Sequence, residues 1–302
     1  MEHLIYKGQH AGVVGVAATL KAGCKINISL RITGRRPDGQ HILDTTFYPL
    51  DKPYDVLTVL PAFPDSGLVF HCTIPDLDTE NNLVVRAYRA FVAATDFAPD
   101  LDLTLEKHIP VGAGLGGGSS DAACLLRYLN GLVSDRALSA AVLRQLAVDL
   151  GADVPFFLMG IPARASGIGD ILVPEPISLR GLYLVLACPR IQVATAWAYR
   201  AWDELIDDGI IDSLTYYSAV DNIQNFSDTL NLYNSFEKVV FLAYPALRRL
   251  KEQALAAGAA AALLSGSGSS VFGLFRQHWQ AVTWANQLLR AETKVFLCSC
   301  WP

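Results

Sequence analysis

The chain has 302 residues, of which 52% are hydrophobic and 18% are charged, and a formal net charge of -5. This length fits one large domain or two of ordinary size around a sizeable core. The acidic balance excludes the basic surface that is typical of nucleic-acid-binding proteins. No apolar run reaches the ~18 residues that cross a bilayer, and six scattered cysteines without C-x-x-C spacing favour a reducing compartment. We therefore expect a cytoplasmic protein with no membrane or nucleic-acid partner.

The beginning of the chain allows several interpretations. Residues 11–20 are apolar and follow Lys7, so they resemble a short signal-peptide core. The alternatives are a terminal extension or part of a first hairpin. A predicted strand begins at Cys24, and its participation in the site described below argues against removal of this region.

The first predicted strand, residues 24–32, alternates strictly between apolar and polar residues. One of its faces carries Lys25, Asn27, Ser29 and Arg31. Such a face is either solvated or part of a site. The turn at residues 37–39 then reverses the chain and places His41, which is either structural or a ligand contact, in a second strand that ends at Leu50.

Three further elements lead to the most informative stretch. Residues 55–60 predict a strand, and residues 82–94 predict a helix. Residues 101–105, where three leucines alternate with polar side chains, predict another strand. Beyond residue 121, apolar residues recur at helical spacing, and Gly131 is a suitable helix end.

Residues 110–123 read P-V-G-A-G-L-G-G-G-S-S-D-A-A and join that strand to that helix. Five glycines in seven residues permit left-handed backbone and the close approach of a ligand. They are Gly112, Gly114, Gly116, Gly117 and Gly118. The first helical turn presents unpaired N–H groups and the positive end of the helix dipole, and Ser119 and Ser120 add hydroxyls for phosphate oxygens or a metal ion. The stretch predicts a phosphate-binding loop for a nucleotide.

Other interpretations of this loop are weaker. It is not a Walker A sequence, because no lysine follows the last glycine. A G-x-G-x-x-G pattern is present at Gly112, Gly114 and Gly117, but a dinucleotide fold needs a strand ending in an acid ~20 residues later. That distance falls at Ser134 and Asp135, which resemble a helix start. A glycine-rich turn without a ligand is the remaining alternative.

A second helix is predicted for residues 135–150, with Ser134 as its N-cap and Gly151 as its end. Asp153 follows, and Pro155 should hold Val154 extended so that the chain leaves the helix sharply. A carboxylate beyond a helix C-terminus lies at the unfavourable end of the dipole. Asp153 is either a turn residue bonded to its own backbone or a functional acid.

The second half is predicted to begin with a glycine-containing turn at residues 166–170 and an apolar strand at residues 182–188. A helix within residues 189–205 carries Thr195, Tyr199 and two tryptophans. An aromatic group at this spacing is more often core than a ligand platform. Residues 207–235 are polar and irregular.

The last informative stretch is rich in glycine and serine. A helix at residues 245–257, ended by Gly258, precedes a strand at residues 261–264 and the sequence S-G-S-G-S-S. This composition often marks a flexible linker. Because only six residues separate two apolar strands, we favour a tight functional loop.

Three motifs in this order resemble those of the GHMP kinases, the family of galactokinase and of homoserine, mevalonate and phosphomevalonate kinases. They are K-I-N at residues 25–27, the glycine stretch at residues 110–123 and L-S-G-S-G-S-S-V-F at residues 264–272. The resemblance implies an α+β fold with an N-terminal domain like ribosomal protein S5 and a C-terminal ferredoxin-like domain. We place them at residues 1–165 and 166–302.

The resemblance also implies a reaction. The sequences K-I-N-I-S-L-R-I-T-G-R-R-P-D-G-Q-H at residues 25–41 and L-G-A-D-V-P-F-F at residues 150–157 are most similar to one branch of the family. That branch phosphorylates the 2-hydroxyl of 4-diphosphocytidyl-2-C-methyl-D-erythritol with ATP, in the non-mevalonate route to isoprenoid precursors. The implied cofactors are ATP and Mg²⁺, the implied partner is a small molecule, and we expect a monomer or weak homodimer.

The motifs carry residue roles with them. The resemblance implies that Asp153 is the catalytic base and Lys25 its catalytic partner. The implied ATP contacts are Pro110, Gly112, Gly114, Leu115, Gly116, Gly117, Gly118, Ser119 and Ser120. From its hydroxyl at the start of the helix, and not from the resemblance, Ser119 is also a candidate metal ligand. The implied substrate contacts are Asn27, His41 near the cytosine, Thr195, Tyr199 as an aromatic stack, Gly266, Ser267 and Gly268.

Two departures separate this chain from that branch of the family. Gly23 and Cys24 replace its usual Pro-Ala before the lysine, and Gln40 replaces a tyrosine that stacks on the pyrimidine. Loss of one stacking partner weakens base binding by about 1 to 3 kcal/mol. The alternatives are therefore a GHMP kinase of another small alcohol and a catalytically silent nucleotide-binding protein. The presence of both Lys25 and Asp153 argues against the silent protein, and a nicotinamide oxidoreductase is a distant third.

Overall fold

The computed structural model of the chain describes residues 17–133, 137–207, 232–291 and 293–299. Their strands are β1 (Ala18–Arg35), β2 (His41–Pro61), β3 (Leu68–Cys72), β4 (Leu101–Glu106), β5 (Ala163–Ser166), β6 (Ile171–Pro174), β7 (Tyr183–Cys188), β8 (Tyr233–Asn234), β9 (Ala261–Leu264), β10 (Val271–Phe275) and β11 (Lys294–Ser299). The helices are α1 (Leu83–Thr95), α2 (Gly117–Leu132), α3 (Ala140–Leu150), α4 (Val154–Met159), α5 (Thr195–Asp207), α6 (Glu237–Ala243), α7 (Pro245–Ala256) and α8 (His278–Arg290). This content confirms the predicted α+β class.

Some predictions concern residues beyond this description. Most of residues 11–20, the proposed N-cap Ser134 and most of residues 207–235 lie outside the described part of the chain. Within that part, no helix combines the length and the apolar content that a membrane crossing requires.

The described residues form two compact units, each assembled from separate segments. The first unit takes in the described part of Met1–Cys24, Pro53–Ile109 and Gly116–Gly160. The second takes in Lys25–Lys52, Pro110–Leu115 and the described part of Ile161–Pro302. The chain thus passes between units within β1, within β2 and within the glycine-rich loop. The predicted division at residues 165 and 166 stays a prediction.

The described part of the first unit contains the beginning of β1, the second part of β2, the strands β3 and β4, and the helices α1 to α4. β3 pairs in parallel with β4, and β4 pairs antiparallel with the second part of β2. Leu101, Leu103 and Leu105 are buried, which is the period-2 pattern seen in the sequence. Helices α1 and α4 each pack against both α2 and α3. β4 ends just before the glycine-rich loop and α2 begins just after it, so these two elements position the loop.

In the second unit, β1 pairs in parallel with β8, and the first part of β2 pairs antiparallel with β5 of the β5–β6 hairpin. A separate antiparallel sheet has the order β11-β7-β10-β9. Helices α7 and α8 pack on this sheet around a core that includes Val185, Phe275 and Trp284. The second glycine-rich stretch is the turn between β9 and β10.

Two predicted strands prove to be one. β2 runs without a break from His41 to Pro61, so the separation into residues 41–50 and 55–60 was wrong. The intervening Pro53 resembles a turn signal in the sequence. Its fixed φ is nevertheless compatible with an extended chain, and the strand continues through it.

Two helix ends also differ from the prediction. α2 passes through Gly131 and has its C-cap at Val133. α3 begins at Ala140, and its N-cap is Ser139, whose hydroxyl accepts a hydrogen bond of 3.4 Å from the N–H of Val142. The predicted end of α3 at Gly151 is confirmed.

The segment after α3 is helical rather than extended. Val154 and Pro155 are the first two residues of α4, a position where the missing N–H of proline does no harm. Asp153 is the N-cap of this helix, with φ -83 and ψ -15. The expectation of an extended Val154 was therefore wrong. Asp153 adjoins a helix N-terminus as well as the end of α3, and a helix N-terminus favours a carboxylate.

Candidate active site

The glycine-rich loop joins β4 to α2, as the sequence predicts. Gly112, Gly114 and Gly116 have φ of 66°, 76° and 71°, in the left-handed region that favours glycine. Gly116 is the N-cap of α2 and offers no capping side chain. The first N–H groups of α2 therefore remain available to a ligand, since a helix leaves them without intrahelical partners. Ser119 and Ser120 lie in this first turn, and Ser120 is buried.

The middle of the loop packs closely on the second glycine-rich stretch. A Cβ added at Gly114 would lie 2.1 Å from the carbonyl oxygen of Ser265. The hydroxyl of Ser265 donates to the carbonyl of Gly114 at 3.1 Å, and the N–H of Ser270 donates to the carbonyl of Ala113 at 3.2 Å. These contacts bring together two motifs that lie about 150 residues apart in the sequence.

The second stretch, residues 265–270, is a tight turn. The N–H of Gly268 donates to the carbonyl of Ser265 at 2.9 Å. The side-chain amide of Asn234 donates to the carbonyls of Leu264 at 2.8 Å and Gly266 at 2.7 Å, and its oxygen accepts from the N–H of Phe236. One buried side chain thus joins the end of β9 to the turn.

The polar face of β1 is largely buried. Lys25 and Asn27 are 5% and 1% exposed, so a solvated face is excluded for these two residues. Lys25 Nζ donates to Asn27 Oδ1 at 2.7 Å, and Asn27 Nδ2 donates to Thr45 Oγ1 at 2.8 Å. Thr45 donates in turn to the carbonyl of Ser29 at 2.6 Å. The order of donors fixes the orientation of the Asn27 amide, because its oxygen must face the ammonium group.

An aromatic group lies at the start of β2. His41 and Tyr199 stack with ring centroids 4.4 Å apart and an interplanar angle of 17°, and Tyr199 meets Phe236 edge-on at 4.9 Å. His41 Nε2 lies 2.7 Å from Asp203 Oδ1. Trp202 on the same helix is buried in the core, as expected for the tryptophans of this segment.

Two further predicted residues occupy defined positions. Thr195 is the first residue of α5, and its hydroxyl lies 2.8 Å from that of Ser267. Gln40 is exposed in the turn before β2, where its N–H donates to the carboxylate of Asp38 at 3.0 Å. The structure therefore joins Lys25 with Asn27, His41 with Tyr199 and Thr195 with Ser267. These pairs belong to the second unit, whereas the half-buried Asp153 belongs to the first.

Sequence reasoning missed a buried charged cluster formed by Asp55, Lys107 and Asp121. Their side chains are 0%, 4% and 1% exposed, and Lys107 Nζ donates to Asp55 Oδ2 and, at 2.7 Å, to Asp121 Oδ2. Burial raises the pKa of Asp121 above its ordinary value, a shift that the Lys107 ammonium opposes and the Asp55 carboxylate increases. Burial lowers the pKa of Lys107, but its two carboxylate partners outweigh burial and the net shift is upward.

Three other residues that form hydrogen bonds with residues of the candidate site were also not identified from the sequence. Asp203 could have been found, because it lies one helical turn after Tyr199 and shares its face. Thr45 and Asn234 had no local signal, since each acts on residues far from it in the sequence.

The sequence of this chain matches known protein families and individual relatives. Residues 82–161 match the family model of the GHMP kinases N terminal domain, and residues 218–290 match that of the GHMP kinases C terminal domain. The chain is 50% identical over 283 residues to a protein of Solidesulfovibrio magneticus, with 92% of this chain and 95% of the relative covered. The chain belongs to the GHMP kinase family. The two-domain fold that the motifs imply is thereby confirmed, and this GHMP kinase is an enzyme.

Two relatives of this GHMP kinase have the same name. The Solidesulfovibrio magneticus protein is named 4-diphosphocytidyl-2-C-methyl-D-erythritol kinase, as is a Nitratidesulfovibrio vulgaris protein with 45% identity over 93% of this chain and 98% of the relative. A solved structure of 4-(cytidine 5'-diphospho)-2C-methyl-D-erythritol kinase is 32% identical with a TM-score of 0.72. It covers 93% of this chain and 98% of its own.

Proposed function

We propose that this GHMP kinase transfers the γ-phosphoryl group of ATP to the 2-hydroxyl of 4-diphosphocytidyl-2-C-methyl-D-erythritol. The observation that carries the proposal is the 50% identity, over nearly all of both chains, to a relative with that name. The three motif regions support the proposal, because each has a local geometry that suits an ATP-dependent kinase.

The glycine-rich loop supports the role of ATP-binding site. Its left-handed glycines and the uncapped N-terminus of α2 present N–H groups to phosphate oxygens. Phosphoryl transfer depends mainly on positioning and on neutralising charge. The implied contacts from Pro110 to Ser120 would hold the triphosphate, whereas Gly266, Ser267 and Gly268 of the second turn would contact the substrate.

Two charged side chains would carry the chemistry. Asp153 would accept the proton of the substrate hydroxyl as the oxygen attacks the γ-phosphorus, and ADP would leave with the electron pair of the broken bond. The Lys25 ammonium would stabilise the charge that develops on the transferring group. The Asn27 and Thr45 side chains would keep that ammonium in place, since their hydrogen bonds fix its position on β1.

The stacked aromatic pair would bind the cytosine. His41 and Tyr199 already lie parallel, and the Asp203 carboxylate would orient the imidazole. Because Tyr199 is on a helix whose core side holds Trp202, its position does not depend on Gln40. The substitution of Gln40 for tyrosine would then weaken base binding without abolishing it. Thr195 would contribute a hydroxyl near Ser267.

The residues of the loop fit a magnesium ion that arrives with ATP. Among the described residues, no group of three or more His, Cys, Asp or Glu is placed to hold a metal ion. In phosphoryl-transfer enzymes Mg²⁺ is held by phosphates and water together with one or two carboxylates, and in some of them by a serine or threonine hydroxyl. The Ser119 hydroxyl in the first turn of α2 would be a ligand of the latter kind. The ion would neutralise charge on the phosphate oxygens.

A coupled ADP-release assay with Mg-ATP tests the substrate. We expect turnover with the cytidine substrate and none with mevalonate, homoserine or galactose. Turnover with one of the other alcohols instead would make Gln40 the mark of a different acceptor. ATP binding without any turnover would favour the silent nucleotide-binding protein.

Two variants test the proposed roles. Asp153→Asn should lower kcat at least about 100-fold while ATP binding stays within a few-fold, because a general base acts only on the chemical step. Its matched control is Asp149→Asn at an exposed position of α3. Lys25→Met should also lower kcat more than affinity, with the exposed Lys21 of β1 as the control position. Normal kcat in either site variant would remove that residue from the mechanism.

A further inference from the structure

The buried charged cluster of Asp55, Lys107 and Asp121 is not explained by stability. Bringing each ion out of water costs several kcal/mol, and apolar replacements of buried ion pairs are often as stable or more stable. The cluster is also imperfectly satisfied, since Asp121 Oδ1 has no hydrogen-bond partner among the described residues. A role beyond stability would account for the presence of three buried charges.

The cluster lies at both ends of the glycine-rich loop. Lys107 directly follows β4, on the entry side, and Asp121 lies in the second turn of α2, on the exit side. Lys107 Nζ bonds to Asp121, so a single ion pair links the two ends.

Asp55 reinforces the entry side from β2. Its Oδ1 accepts from the N–H of Ile109 at 2.8 Å and from the N–H of His108, while its Oδ2 accepts from Lys107. One carboxylate therefore holds three consecutive residues just before the loop begins. Its position is itself determined by the pairing of β2 with β4.

The start of α2, just after the loop, lies close to the residues just before the loop. A Cβ added at Gly117 would lie 3.0 Å from Ile109 Cγ2 and 3.3 Å from Asp55 Oδ2. The seven residues 110–116 are thus closed into a loop whose ends touch. Closing and ordering a glycine-rich segment is entropically unfavourable, and a loop that is ordered on folding does not need to be ordered again when a ligand binds.

We propose that Asp55, Lys107 and Asp121 are positioning residues that preform the glycine-rich loop for the triphosphate of ATP. The inference rests on the proposed function, because it takes ATP to be the ligand of this loop. The cluster touches neither reacting atom. It acts by holding the loop ends, and through them the N–H groups of residues 112–118, in the form that binds phosphate.

The experiment separates positioning from stability. In the double variant Lys107→Met/Asp121→Leu, apolar side chains replace the ion pair, and the directional tie between the loop ends is lost. The fold should be destabilised less than in Lys107→Met, because one buried carboxylate rather than two is left without its cation. That carboxylate, Asp55, keeps its hydrogen bonds from the N–H groups of His108 and Ile109. If the loop then held its binding form about a tenth of the time, the Kd for Mg-ATP would rise about tenfold. Adenosine, which lacks phosphates, should bind within about twofold of the wild type.

The matched control is Arg164→Met/Asp44→Leu, which removes an exposed ion pair between β5 and β2. Titration calorimetry with Mg-ATP and adenosine, and urea unfolding, are carried out on all three full-length proteins. A Kd for Mg-ATP within about twofold of the wild type in the folded double variant would overturn the proposal. Equal weakening of adenosine would also overturn it, because a general loss of structure affects both ligands.

A second, milder variant keeps the proposal testable if the first variant does not fold. Asp121→Asn keeps the size of the side chain and removes only its charge, and we expect the Kd for Mg-ATP to rise about threefold with adenosine unchanged. No change would count against the proposal. Wild-type turnover is measured in parallel: ATP binding without turnover defeats the proposed substrate but leaves the cluster to be judged by the two affinities. Absence of ATP binding in the wild type would overturn both.

Discussion

The two glycine-rich loops of this kinase are held by different chemistry. The ends of the first loop meet at three buried charges, those of Asp55, Lys107 and Asp121. The second loop, residues 265–270, is held by neutral groups, chiefly the Asn234 amide and the backbone. Both arrangements hold a loop in a defined form, but they differ in what happens when one member is removed.

That difference follows from the cost of an unpaired group. Removing one member of a buried ion pair leaves a charge in a medium of low dielectric, which is strongly destabilising. Removing one member of a neutral network leaves a polar group with a smaller desolvation penalty. We therefore expect the first loop to depend on all three charges together, and the second to lose stability in smaller steps.

The largest effect is expected for Lys107→Met. It leaves two buried carboxylates without their cation and should lower the free energy of unfolding by about 3 to 5 kcal/mol. Arg164→Met is the control, because its ion pair with Asp44 is exposed and such pairs contribute about 0 to 1 kcal/mol. Urea unfolding followed by circular dichroism measures both. Equal losses in the two variants would show that the cluster behaves like a surface ion pair.

The next largest effect is expected where the two loops are in contact, and it tests that contact. Gly114→Ala and Gly112→Ala both place an L-residue at positive φ, but only Gly114 faces another backbone, 2.1 Å from the Ser265 oxygen. Nothing lies within 4 Å of a Cβ at Gly112. The free energy of unfolding should fall by about 1 to 3 kcal/mol more in Gly114→Ala than in Gly112→Ala, as overpacking does. Identical stabilities would refute the close approach of the two loops.

A smaller loss is expected from the neutral network. Asn234→Ala removes three hydrogen bonds, to Leu264, Gly266 and Phe236, and should cost about 1 to 3 kcal/mol, below the loss in Lys107→Met. Gln145→Ala, at an amide on the surface of α3, is the control. If Asn234→Ala were as damaging as Lys107→Met, the distinction between charged and neutral support would fail.

The smallest effect concerns the chain of donors from Lys25. Thr45→Val keeps the shape of the side chain but removes the hydroxyl that accepts from Asn27 and donates to Ser29, and should cost about 1 kcal/mol. Thr33→Val, whose hydroxyl bonds to Ile42 at an exposed position, is the control. Thermal unfolding compares the pair, and a neutral result for Thr45→Val would show that the network adds nothing to stability.

Much of the candidate site could be predicted from the local pattern of apolar, polar and glycine residues in the sequence. The order of strand, glycine loop and helix around residues 110–123 and the strand on either side of residues 265–270 are all present in the structure. Alternation along one strand predicted that Lys25 and Asn27 share a face, and in the structure these two side chains are hydrogen-bonded to each other. The roles of these residues in catalysis stay predictions.

The ends of strands and helices, and the contacts that determine them, were harder to predict from the sequence. Pro53 suggested a break that β2 does not make, and the helical form of Val154 depends on the packing of α4 against α2 and α3. Local signals for a turn or an extended residue compete with tertiary contacts. In these two places the contacts prevailed.

By itself, the sequence determined the α+β class, the position of both glycine-rich loops and the family to which the chain belongs. Tertiary structure alone decided how those loops are held. Lys107 meets Asp55 across 52 residues, and Asn234 meets Gly266 across 32. The periodicity of a segment records which of its faces is buried, but the partner that meets this face depends on where distant segments cross.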